Sequence, residues 1–200
     1  MQTLEPSLKA IAGFAPRLPG VVGTGLTLRA NSETRLPAYF YRLSSRAQRI
    51  YLKSDSVERF DYVPSVAARN SLDALMRVLE TGNLAACTAC ARALTAEICR
   101  GLMTPPVNVE IRGVRPRNTR GELHGLFYPY DPRNRRQPYI VLWMRTAQRH
   151  DVVKPKTFVR TLMHEIGHYL DYAHLRLEDS YHTRGFFQRE SSLVRALFSS

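Results

Sequence analysis

The stretch "RTLMHEIGHYLDYAHLRLEDSYHTRGFF", Arg160 to Phe187, holds four of the chain's six histidines, and whether these can meet decides how the remainder is read. Apolar residues recur at Phe158, Leu162, Ile166, Leu170 and Ala173, a helical spacing. On that helix His164 and His168 lie four residues apart, so both imidazoles stand on one face and can share a cation, with Glu165 beside them as a base.

Two imidazoles do not complete a catalytic metal site, which needs three protein ligands and an open fourth position. His174 has the spacing of an HExxHxxGxxH pattern, but Asp171 stands where that pattern has glycine. With no breaker in "YLDYA" the helix runs on and carries His174 about 240° round from His168, off the metal face. Asp171 itself lies on that face, as a ligand or as a carboxylate orienting an imidazole. His182 is the preferred third ligand, because "LEDSY" is polar enough to turn and "HTRGFF" starts a segment that can fold back over the first helix. Glu190, on the next helix, remains open as an alternative.

Outward from this stretch the pattern predicts an α+β fold: a small mixed sheet packed on the HExxH helix and preceded by a helical hairpin. "VNVEIRGV", "GELHGLFYP" and "PYIVLWM" read as strands, the last a continuous apolar run suited to the inner position. "SSRAQRIYLKSD" has Ser44 or Ser45 as a cap. "PSVAARNSLDALMRVLETG" opens on a proline suited to a first turn, and "NLAACTACARALTAEICRG" follows from an Asn cap, making a tight hairpin. A last helix follows Thr183. The expected organisation is an extended arm over 1–43, a helical region over 44–104 and a catalytic region over 105–200 forming one compact domain with 44–104. The glycines of "GVVGTG" in the arm lack the residues of a phosphate cradle.

The net charge is +12, and residues 112–160 hold twelve Lys or Arg against Glu122, Asp131 and Asp151, a net of +9. Such a region can neutralise phosphates, so nucleic acid is a candidate partner besides a protein or peptide. The three cysteines, Cys87, Cys90 and Cys99, fall in one helical segment and read as reduced packing residues; "CTAC" has no second pair to make a four-thiolate site. No apolar run of about eighteen residues and no basic-then-apolar leader appears, so the expectation is a soluble cytoplasmic protein with no membrane role.

"RGELHGLFYP", "PYIVLWM", "TLMHEIGH" and, after thirteen intervening residues, "HTRGFF" together resemble the SprT-like zincins, which include bacterial SprT and the eukaryotic Spartan proteases acting on DNA–protein crosslinks. The resemblance spans roughly residues 107–190, with HExxH its specific part. It implies a zincin-like fold, His164, His168 and His182 as Zn2+ ligands, and Glu165 as the catalytic residue of a metallopeptidase. Zinc would acidify a water, Glu165 would take its proton as general base, and a peptide carbonyl would be attacked. "GELHGLFYP" is the strand expected to pair with substrate, and Tyr181 is a candidate oxyanion partner. The alternative is a zinc-stabilised nucleic-acid-binding or protein-interaction domain without catalysis, in which Asp171 or Glu190 closes the fourth position.

Overall fold

Side-chain caps set where most of the helices begin, and a computed structural model, describing residues 36–119 and 121–199, shows four of them. Ser44 accepts the Ala47 N–H ahead of α1 (Ser45–Asp55), Ser65 the Ala68 N–H ahead of α2 (Val66–Thr81), and Asn83 the Ala86 N–H ahead of α3 (Leu84–Gly101). Thr183 accepts the Phe186 N–H ahead of α5 (Arg184–Phe198), whereas α4 (Pro155–Ala173) opens with proline in its first turn. Pro64, expected in the first turn of α2, stands one residue before the cap instead, because the Ser65 hydroxyl takes the Ala68 N–H at 3.0 Å. The chain divides after Pro37, and the described helices and strands all belong to residues 38–200. The arm and its "GVVGTG" lie outside the described residues, apart from its end, where Phe40–Arg42 form a 3₁₀ turn.

Five short strands follow the α2–α3 hairpin: β1 (Asn108–Val114), β2 (Arg117–Asn118), β3 (Gly121–Glu122), β4 (Gly125–Tyr128) and β5 (Tyr139–Arg145). The main sheet has the order β1-β5-β4, with β1 parallel and β4 antiparallel to β5. The apolar run is thus the central strand, and Ile140 to Met144 are all buried. "GELHGLFYP" is not the single strand its alternation predicts. It changes partner midway: β3 pairs with β2, Leu123 N–H donates to Pro116 O at 3.0 Å, and from His124, whose carbonyl accepts from Trp143 N–H, the chain joins β5.

Helix α4 packs against β4 and β5, with α2 and α5 also against it, while α3 covers β1. Its Phe158, Leu162, Ile166 and Leu170 are each at most 1% exposed and join the same core as Val109, Ile111, Ile140 and Leu142. Each contributes roughly 1.5–3 kcal/mol by leaving water. The helix is therefore anchored by its apolar stripe, whatever its histidine-bearing face does.

Candidate metal centre

The turn of α4 that carries His164 and His168 faces the segment leading into α5. Leu177 N–H bonds back to Asp171 O at 2.9 Å, and Thr183 caps α5, so residues 174–182 are tied down at both ends and His182 returns over α4. His182 Nε2 lies 3.0 Å from His164 Nε2 and 3.0 Å from His168 Nε2. The three ligand atoms are all within 4.8 Å of one another, and among the described residues this is the one cluster of metal-ligating side chains. Phe186 fills the space behind them, its ring 4.6, 5.1 and 5.2 Å from those of His168, His164 and His182.

The second nitrogens of the α4 histidines are each held. His164 Nδ1 is 2.9 Å from Glu190 Oε2, whose other oxygen is 3.5 Å from Arg160 Nε, and His168 Nδ1 is 2.7 Å from Ser180 Oγ. Burial, then the neighbouring charges of His164 and His182, keep His168 well below the ordinary imidazole range; burial and His164 push His182 down to about 4. Both are neutral lone-pair donors, the form that binds a metal. Burial also opposes charge on His164, but its bond to Glu190 and the nearby Glu165 and Glu190 carboxylates raise its pKa overall.

Nitrogens about 2.0–2.1 Å from a tetrahedral cation lie roughly 3.3 Å apart, so the observed 3.0 Å spacings need only a few tenths of an ångström of adjustment. The donor set fits a metal: three converging imidazoles, with the outer nitrogens of His164 and His168 engaged.

Glu165, 6% exposed, lies against β4. A Cβ on Gly125 would sit 2.7 Å from Glu165 Oε1 and 2.9 Å from its Cγ, so only glycine lets the strand approach the carboxylate this closely. Burial raises its pKa to about 7, opposed by the charge of His164 and by the nearby Phe127 backbone N–H.

The other candidates are placed elsewhere. Asp171 accepts from Ser180 Oγ at 2.7 Å and from Arg189 Nη2 at 2.8 Å, and Glu190 meets the outer nitrogen of His164, so neither stands among the converging atoms. His174 closes α4 with Nδ1 3.2 Å from Leu102 O and its ring edge-on to Phe60. Tyr181 packs against Tyr51, their rings 5.9 Å apart. Cys87, Cys90 and Cys99 are free thiols of α3, two of them buried. Sequence reasoning missed Ser180, Phe186 and Arg189. A signal for the last was present: Arg189 falls in the buried stripe of α5 with Phe186, Glu190, Leu193 and Leu197, where a cation needs a buried partner.

Comparison with known proteins adds no relative. No protein-family model, no curated protein and no solved structure matches the chain. The described part is a mixed α+β structure in which helix α4 and the segment leading into α5 bring three histidines together beside a buried glutamate. None of its described helices is long and apolar enough to cross a membrane.

Proposed function

We propose that the protein is a zinc-dependent metallopeptidase with a zincin-like fold, as its resemblance to the SprT-like zincins implies. The observation that carries this reading is the convergence of His164, His168 and His182 beside Glu165. Three imidazoles suit zinc better than hard, oxygen-seeking cations. Asp171 and Glu190 are both engaged outside the cluster, which speaks for an open fourth position and against a closed structural site. When bound, zinc supplies Lewis-acid chemistry: it acidifies a water and polarises a carbonyl.

The chain's own groups do the rest. Glu165, buried beside the three histidines, takes a proton from the attacking water and returns it to the leaving amine. The close approach of Gly125 keeps strand β4 against the carboxylate. Among the described residues strand β4 pairs on one side only, with β5, so its other edge can receive an extended peptide over α4.

The basic region supports contact with nucleic acid as a second property. Arg112, Arg117, Arg133, Arg135, Arg136, Arg149, Lys154, Lys156 and Arg160 are exposed, while Arg115 is buried 3.5 Å from Glu122 and serves the fold. Binding through such a surface would fall steeply with salt. A cytoplasmic location belongs to the same proposal, since three free thiols fit a reducing compartment.

The test is Glu165→Gln. Zinc content by elemental analysis should match the parent, while hydrolysis of a fluorogenic peptide library falls at least about a hundredfold. A variant that cleaves as fast as the parent would end the catalytic assignment.

A further inference from the structure

Helix α1 lies outside the stretch that resembles the zincins, yet its last turn reaches the histidine cluster through buried polar atoms. Arg189 is 1% exposed. Its Nη1 donates to Ser54 O and Val57 O, each at 2.5 Å, and its Nη2 donates to Ser54 Oγ at 2.9 Å and to Asp171 Oδ1 at 2.8 Å. Ser54 O belongs to the last turn of α1 and Val57 O lies two residues past the helix end, and the guanidinium caps both. Asp171 Oδ2 in turn receives Ser180 Oγ at 2.7 Å, and Ser180 Oγ lies 2.7 Å from His168 Nδ1.

With Asp171 ionised, donor counting sets the direction of the protons from Arg189 to His168. A guanidinium only donates, so Asp171 Oδ1 accepts; burial raises the pKa of this carboxylate, and the charge of Arg189, 2.8 Å away, opposes that and favours its ionised form. Ser180 has one hydroxyl proton, and the carboxylate takes it. The Ser180 oxygen is then left to accept from His168, which places that ring's proton on Nδ1. The Nε2 lone pair is free, and Nε2 is the atom that converges with those of His164 and His182.

The two helices approach closely enough for this at one residue. A Cβ on Gly185 would lie 2.4 Å from Asp55 O and 2.7 Å from Ser54 O, and Gly185 N–H donates to Asp55 Oδ1 at 2.9 Å. The joint is three residues from His182.

We propose that α1 is part of the metal centre: the Ser54 carbonyl of its last turn and the Val57 carbonyl just beyond it hold Arg189, and Arg189, Asp171 and Ser180 act in series as positioning residues that keep His168 in the Nδ1–H form with Nε2 presented to the metal. This rests on the reading of His164, His168 and His182 as ligands.

The deciding variant is Ser180→Ala, which removes one hydroxyl and leaves both helices in place. Two readouts are taken on the full chain: Zn2+ affinity by competition with a chromophoric chelator, and the His168 tautomer of the metal-free protein by long-range 1H–15N correlation. In the parent, His168 should be in the Nδ1–H form. In Ser180→Ala the tautomers should mix, with zinc held about 10–100-fold more weakly. Arg189→Lys, whose single ammonium cannot span both carbonyls and Asp171, should shift both readouts the same way; if it does not fold, Ser180→Ala decides alone. A parent His168 in the Nε2–H form, or a Ser180→Ala protein with parental tautomer and affinity, overturns the proposal while leaving the ligand assignment standing. A parent that binds no zinc would remove the ligand assignment, and the proposal with it.

Discussion

Helices α2 and α3 bury Ala68, Leu72, Leu75, Leu79, Cys87, Ala91, Leu94, Ile98 and Cys99 between them and the core, and the polar residue among them, Thr95, returns its hydroxyl to Ala91 O. Helices α4 and α5, in the same compact unit, bury Glu165, Asp171, Arg189 and Glu190. Apolar filling would have served α4 and α5 as well for stability, since replacing a buried ion pair by packed hydrophobic groups is often neutral or stabilising. The buried charges are explained by what they orient. In the first pair a side chain's surroundings reward only its shape; in the second they reward its lone pairs.

The largest effect that tests this contrast is Asp171→Ala beside Leu94→Ala. Removing Asp171 strands the Arg189 charge, which costs about 3–5 kcal/mol, and removing most of Leu94 costs about 2–5 kcal/mol through lost burial and a cavity. Chemical denaturation should thus find the two variants comparably destabilised. Zinc titration of the folded proteins should separate them, the Asp171 variant losing affinity at least tenfold and the Leu94 variant keeping it. Equal loss in both would mean that the metal site responds only to overall stability.

The same contrast explains how much the amino-acid sequence discloses. The hairpin follows from Ser65, Asn83 and Gly82 with leucines at helical spacing, and β5 from an apolar run that can only be central. HExxH places His164, His168 and Glu165, because four residues on a helix determine a shared face. His182 is legible as a turn followed by a new segment. Ser180 is not, since a lone serine in a polar loop has no periodicity and its role depends on where the loop folds. Nor are the carbonyls of Ser54 and Val57, because a backbone acceptor leaves no trace in side-chain pattern. The break of "GELHGLFYP" at Leu123 and His124 escapes for a related reason: alternation encodes which face a residue takes, not which strand it pairs with.

A pH experiment sharpens the contrast at Glu165. In metal-free protein its pKa is raised from 4.5 to about 7 by burial, so the folded state holds this proton more tightly than the unfolded state does. The group's favourable contribution is full below pH 4.5, declines as pH rises, and is lost above about 7, where the buried carboxylate is charged. Glutamine has no proton to lose. With zinc removed by a chelator, Glu165→Gln should therefore be more stable than the parent at pH 8, by on the order of 2–3 kcal/mol. The difference should shrink toward pH 5. A difference independent of pH would show that Glu165 titrates in the folded chain as it does in water.

His174 gives the smallest effect and the sharpest control, because it caps the helix that carries His164 and His168 but belongs to the hairpin's side of the molecule. Its Nδ1 is 3.2 Å from Leu102 O at the end of α3, and a carbonyl can only accept, so Nδ1 carries the proton there. Its ring meets Phe60 edge-on at 5.5 Å. Alanine at 174 removes one partly exposed hydrogen bond and one ring contact, a loss of about 1 kcal/mol, and touches no residue of the cluster. Zinc stoichiometry and affinity should equal the parent's, whereas His182→Ala should lose most of the bound metal at equal protein concentration. If the two alanine variants bound zinc alike, position in the chain rather than convergence in space would have set the ligands, and the contrast between the two helix pairs would fail at its centre.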